Sequence, residues 1–174
     1  MKRLTILLLA LPMAANAVPI EFSYDTGVGV LSGVFDGFVL GDGDTVLVTS
    51  VLGTPQFGGA PAVPLPFVGS WEGYQANGFS FAGVGPGVVS FSGITMDIIA
   101  CDVDFCGDGF LFGQLDDGSL IYGSGPSFGS SDADGNAFNP DAWSLTILAV
   151  PEPGTVALLG IGLLGMGLAR RTKV

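Results

Sequence analysis

VVSFSGITMDIIA, residues 88–100, is the stretch whose reading decides the fold. It is rich in valine and isoleucine, whose β-branched side chains suit a pleated backbone. Val89, Phe91, Gly93, Thr95, Asp97 and Ile99 share one parity, and Val88, Ser90, Ser92, Ile94, Met96 and Ile98 share the other. The first half buries the odd face and the middle favours the even one. A slip of one residue turns every later side chain to the opposite face, so this pattern predicts a bulge or bend near Ser92-Gly93.

Working outward, the same alternation recurs on both sides. Towards the C-terminus, residues 110–115 and 119–122 flank Asp116-Asp117-Gly118, the strongest hairpin signal in the chain. Residues 123–141 read as a loose segment. AWSLTILAV, residues 142–150, closes the domain as a strand with Trp143, Leu145, Ile147 and Ala149 inward and Ser144 and Thr146 outward. Towards the N-terminus, residues 67–74 and 79–82 carry strand signals. Residues 53–66 hold Pro55, Pro61, Pro64 and Pro66, which predicts a surface loop or a sheet edge. TVLVTSV at 45–51, residues 28–39 and IEFSY at 20–24 complete the set, with Gly41-Asp42-Gly43-Asp44 as the turn of a hairpin. Eight or nine strands predict a mainly β domain, an antiparallel β-sandwich or jelly roll. A parallel β-solenoid is the rival, and no fixed repeat period supports it.

The two ends have a different composition. Lys2 and Arg3 precede an apolar run at 4–11, and Ala15-Asn16-Ala17 has the small residues of a signal-peptidase site, so residues 1–17 read as a signal peptide cleaved after Ala17. The rival is a hydrophobic helix left in place, for which the run is short. At the other end, VPEPGTVALLGIGLLGMGLARRTKV, residues 150–174, joins a proline break to an apolar run and three bases. The run at 154–169 holds no charge, and as a helix its 16 residues cover roughly 24 Å. It reads as a single transmembrane helix stopped by Arg170, Arg171 and Lys173. A buried core helix is the alternative, but no polar face is present before Arg170.

The order Pro151-Glu152-Pro153, a glycine-rich apolar run and Arg170-Arg171 resembles the PEP-CTERM sorting domain of exported bacterial proteins, also known as the C-terminal domain of ice-binding proteins. The resemblance covers about 25 residues, 150–174. It implies export and retention at the inner membrane with the domain on the periplasmic side. It further implies processing near Pro151, Glu152 and Pro153 by an exosortase, a membrane-embedded cysteine protease, after signal peptidase has acted at the other end. Release to the cell surface or an exopolysaccharide matrix is the implied destination. Ice binding is not implied, because the tag travels with unrelated cargo.

Residues 18–150 remain as one β-rich extracytoplasmic domain of 133 residues, followed by the sorting segment 151–174. All five bases lie in the two ends, and fifteen of the sixteen acids lie between Glu21 and Asp141, so the domain carries a formal charge of −15. Such a surface repels nucleic acid and anionic lipid. Cys101 and Cys106 are the only cysteines, and an even pair in an exported chain reads as a disulfide; free thiols or a metal role are the weaker alternatives.

The absence of histidine removes Ser-His-Asp and Cys-His nucleophilic sites, and a domain without lysine or arginine has neither a Schiff-base nor an anion-clamp mechanism. The surviving enzyme class is a paired-carboxylate glycosidase, for which Asp97 and Glu72 are the acids outside glycine-flanked turns. Calcium is the cofactor the acids suggest: Asp102, Asp104 and Asp108 surround the cysteine loop, and Asp132-Ala133-Asp134-Gly135-Asn136 alternates oxygen ligands. That second run departs from an EF-hand at its sixth and twelfth positions, Ala137 and Trp143, and ordinary Asx turns are its competing reading. Trp71 and Tyr74 are the aromatics expected to be exposed as a platform for sugar. The sequence therefore predicts an exported, non-enzymatic envelope or matrix protein. The alternatives are a polysaccharide-binding module with structural calcium and, more distantly, a glycosidase.

Overall fold

The structure, a computed structural model, describes residues 17–115, 117–129 and 136–149. Its strands are β1 (Val18–Asp25), β2 (Val30–Val39), β3 (Thr45–Phe57), β4 (Ala60–Pro61), β5 (Phe67–Gly69), β6 (Gly87–Ser90), β7 (Met96–Cys101), β8 (Gly109–Gln114), β9 (Leu120–Ser124), β10 (Asn136–Ala137) and β11 (Trp143–Ile147). One helix, α1 (Trp71–Ala76), and two 3-10 turns complete the described elements. All strand pairs are antiparallel. The main path runs β10-β9-β8-β7-β6-β3-β2-β1-β11, with β4 beside β3 and β5 beside β7.

The expected sandwich is made by one sheet that curls into a jelly-roll-like half-barrel, not by two separate sheets. The corner is β7: Met96 and Asp97 pair with β6, while Ile98 to Cys101 pair with β8. Rings then close the distance between sheet ends that share no hydrogen bonds. Phe22 on β1 meets Phe110 on β8 at 5.5 Å between centroids, and Phe112 meets Tyr24 at 5.3 Å and Trp143 at 5.0 Å. Trp143 is buried, and its Nε1–H donates to the Ser90 carbonyl at 2.9 Å, which pins the start of β11 across the core. The final strand is shorter than predicted and its outer end is not inward: Leu145 is half-buried and Ile147 is 49% exposed.

Both predicted hairpin turns form, and each is fixed by an aspartate. Asp42 accepts from the backbone of Asp44 and Thr45 and from the Thr45 hydroxyl; these bonds, the hydroxyl first, hold its carboxyl below the usual range. Asp117 does the same through the hydroxyl and N–H of Ser119.

Three predicted elements are corrected. Residues 88–100 form two strands, not one bent strand. The chain reverses through residues 91–95, where Gly93 has φ +69°, a conformation glycine adopts without steric cost, and Val89 comes to lie opposite Met96. Residues 53–57 belong to β3 and not to a surface loop. Pro55 is fully buried there because the ladder to β2 shifts register between Ser32 and Val34, and an interrupted ladder does not need the donor that proline lacks. Finally, residues 71–76 are helical, and residues 79–82 form no strand.

Tyr122 sits against this core with its hydroxyl donating to the Phe128 carbonyl at 3.4 Å. Burial, chiefly, pushes its pKa above the ordinary 10.0, with the neighbouring Tyr24 adding to the rise and the hydrogen bond with Ser124 opposing it. A folded-state pKa above the unfolded one gives stability that is complete below the unfolded value and disappears as pH rises through the folded one. Urea midpoints measured upward from about pH 8 should therefore hold until about pH 10 and then fall, and Tyr122→Phe should make that fall shallower.

Candidate functional site

Strands β7, β8 and β9 are apolar on both faces. Ile98, Ala100, Phe110, Phe112 and Tyr122 point into the main core, while the alternate residues Ile99, Cys101, Leu111 and Ile121 form a second cluster with Tyr74 of α1. α1 is set in place by two caps: the Ser70 hydroxyl accepts from the Gly73 N–H, and the Asp97 carboxylate accepts from the Glu72 N–H, both at 2.9 Å. Asp97 and Glu72 thus meet at one helix start, with the Asp97 carboxylate occupied by backbone. This is not the arrangement of two acids facing each other across a cleft.

Beside α1 the surface opens into a hollow of about 430 Å³, walled by Trp71, Tyr74, Phe79 and Phe105 and floored by Leu111 and Gly123. The prediction that Trp71 and Tyr74 stand exposed is corrected. Tyr74 is 2% exposed and Trp71 is half-buried, with rings 6.2 Å apart. Trp71 lies on the bare backbone of Gly113, where any β-carbon would strike the indole Cδ1. Its buried Nε1–H has no partner among the described residues. Burial and then the charge of Asp104 raise the Tyr74 pKa. The exposed rings here are Phe79 and Phe105, at 54% and 74%, and sequence reasoning missed them because phenylalanine defaults to core.

Cys106, on one wall of the hollow, forms the predicted disulfide with buried Cys101, their Cα atoms 5.0 Å apart. Closing so short a loop contributes about 2 kcal/mol in the chain-entropy account. Cys106 has φ +51°, a conformation that L residues rarely adopt outside such constrained turns.

The three aspartates of this loop do not converge on a cation site. Asp102 accepts from the Asp108 N–H at 2.7 Å, closing the loop across its base. Asp104 reaches out to the Phe81 N–H at 2.8 Å and the Ser80 hydroxyl, and Asp108 to the N–H groups of Gly109 and Ser127. Each carboxylate satisfies backbone donors of a different segment, and among the described residues no group of three or more acids or cysteines is placed to hold a metal ion. Of the second calcium run, Asn136 lies in β10 opposite Tyr122, and Asp132 and Asp134 lie outside the described residues. Among the described residues, then, these aspartates converge on no calcium site.

The sorting residues Pro151, Glu152, Pro153, Arg170 and Arg171, and Ala15 of the signal-cleavage site, lie outside the described residues, as does the apolar run 154–169. Among the described residues no helix is long and apolar enough to cross a membrane. Ala17 is described and directly precedes β1, while the far end of β11 lies alongside, with the Leu148 N–H donating to the Pro19 carbonyl at 2.9 Å. Compared with known families, residues 149–171 match the PEP-CTERM protein-sorting motif. No curated protein and no solved structure matches the chain. The chain therefore carries a PEP-CTERM sorting signal directly after the last strand of an antiparallel β domain, which makes it an exported protein of the kind exosortase processes.

Proposed function

We propose that this protein is a non-enzymatic component of the cell envelope or extracellular matrix. It is held at the inner membrane with its β domain on the periplasmic side. Signal peptidase and exosortase trim its two ends and release it to the cell surface or an exopolysaccharide matrix. The observation that carries this reading is the sorting motif at 149–171.

Three features of the domain support it. The disulfide suits an oxidising compartment. The formal charge of −15 over residues 18–150, with no base among them, suits a soluble surface repelled by anionic lipid once the anchor is gone. Both ends of the domain leave from neighbouring strands, so two hydrophobic flanks enter one membrane without straining the fold.

Intact-mass measurement of the native protein, with and without reductant, tests the proposal. The expected species begins at Val18, ends near residues 151–153 and gains two hydrogens on reduction. A chain that keeps Met1 and the basic end, with thiols already reduced, would overturn it.

A further inference from the structure

Both processing regions leave the fold from the same end of one strand pair. β1 and β11 run antiparallel with Tyr24 opposite Trp143 and Ile20 opposite Ile147, so the start of the first strand lies beside the end of the last. The bond from Leu148 N–H to the Pro19 carbonyl is the outermost tie. Ala17 stands two residues before it and Pro151 three residues after it. Among the described residues β11 is an edge strand, paired with β1 alone. Its inner end is anchored by buried Trp143, whereas Thr146 and Ile147 at its outer end are exposed.

This geometry leaves little chain for a protease. From Leu148 the three residues to Pro151 reach at most ~11 Å, and the six to Gly154, where the apolar run begins, at most ~21 Å. A protease seated at the membrane takes an extended run of substrate on both sides of the bond it cuts. On the N-terminal side that run is the chain whose N–H and C=O groups are already paired with β1.

We propose that residues 146–149, the outer end of β11 and the two residues after it, detach from β1 before the C-terminal cut. The edge strand is then both the closing strand of the fold and the N-terminal half of the exosortase substrate. Detachment lengthens the free chain by about 7–10 Å and withdraws no fully buried side chain, because Thr146 and Ile147 are exposed and Leu148 is half-buried; its cost is the ladder bonds to β1 and partial uncovering of Ile20. The anchored Trp143 keeps the rest of the strand docked, so the domain stays folded while its end is cut. This inference rests on the sorting reading of the motif and adds a conformational step to it.

The test is a reversible staple. Glu21 and Thr146 are register partners with exposed side chains. Paired residues of an antiparallel ladder stand about 5.5 Å apart at Cα, a spacing a disulfide spans. The E21C/T146C variant of the full-length precursor is expressed in its host, the 21–146 link is verified by peptide mapping, and maturation is followed by pulse-chase. The stapled precursor should accumulate in the membrane fraction, maturing at least about tenfold more slowly than either single variant. Inserting Gly-Ser-Gly-Ser-Gly between Ala149 and Val150 should restore the rate with the staple intact, because the insertion supplies the missing slack. Maturation of the stapled precursor at the wild-type rate overturns the proposal, and so does a block that the insertion fails to relieve. A precursor with alanines at 151–153 is run in parallel. If that one is blocked while the stapled one matures, detachment alone falls; if it matures normally, the sorting reading falls and detachment with it.

Discussion

Phe112→Ala should lower the unfolding free energy of the β domain by about 3–5 kcal/mol, the range found when a fully buried phenylalanine is truncated. Phe112 is fully buried, and its ring lies 5.0 to 5.6 Å from those of Trp143, Tyr24, Tyr122, Phe138 and Phe110. These partners come from β11, β1, β9, β8 and the segment before the 3-10 turn at Pro140–Ala142, so one side chain ties together parts of the sheet that share no ladder. The cavity left by alanine has no simple way to collapse, because the strands around it are held in register by their own hydrogen bonds. Domains of this size are stable by about 5–15 kcal/mol in all, so the variant should lose a large share of that stability. Phe105→Ala is the contrasting case: with 74% of Phe105 exposed, its effect should stay within about 0.5 kcal/mol. Urea denaturation followed by far-UV circular dichroism measures both. Equal midpoints for the two variants would mean that the sheet does not curl over Phe112.

How much of this could be read from the sequence depends on whether the deciding interaction is local. Asp42 and Asp117 fix their turns by bonds to residues two or three positions on, so Asp-Gly signals found both hairpins. The parity change at Ser92-Gly93 was equally visible, but whether the chain bends or reverses there depends on Val89 finding Met96 and on Asp44 accepting from Ser92. Pro55 misled for a physical reason: proline is excluded from a regular ladder, and nothing near it in sequence reveals that the ladder opposite Gly33 is irregular. For Trp71 and Tyr74 there was a signal. Ser70 is an N-cap residue, and consecutive apolar residues at 98–101 and 110–112 show that β7 and β8 need cover on both faces. That second face is where Tyr74 goes, so it offers no exposed ring. The acids of the cysteine loop looked like a ligand set because spacing places them together, yet each has a separate backbone donor within reach. The curl of the sheet was not legible, because it rests on ring contacts between strands more than eighty residues apart, such as Phe22 and Phe110.

Replacing Pro151, Glu152 and Pro153 with alanines should leave the exported protein at its unprocessed length and in the membrane fraction, with the mature form reduced by about tenfold or more. The two prolines cannot extend a helix towards the N-terminus and bias the residues before them to extended backbone, so in the native sequence the apolar run is set apart from β11. Alanine is the best helix former, so three in a row remove the proline break and would let the proposed helix of the apolar run grow back by about 4.5 Å towards the strand. The bond to be cut would then favour helical hydrogen bonds over the extended form a protease binds, and the carboxylate of Glu152 is removed. Arg170 and Arg171 remain, so under the proposed reading of 154–169 as a membrane anchor the expected defect is in cutting alone. Immunoblots of membrane and released fractions, with intact mass of each species, separate these outcomes. The β domain serves as internal control, because its disulfide should form identically in both chains if export itself is intact. Mature protein of unchanged mass and location after the replacement would mean that the match at 149–171 does not act as a sorting signal in this chain.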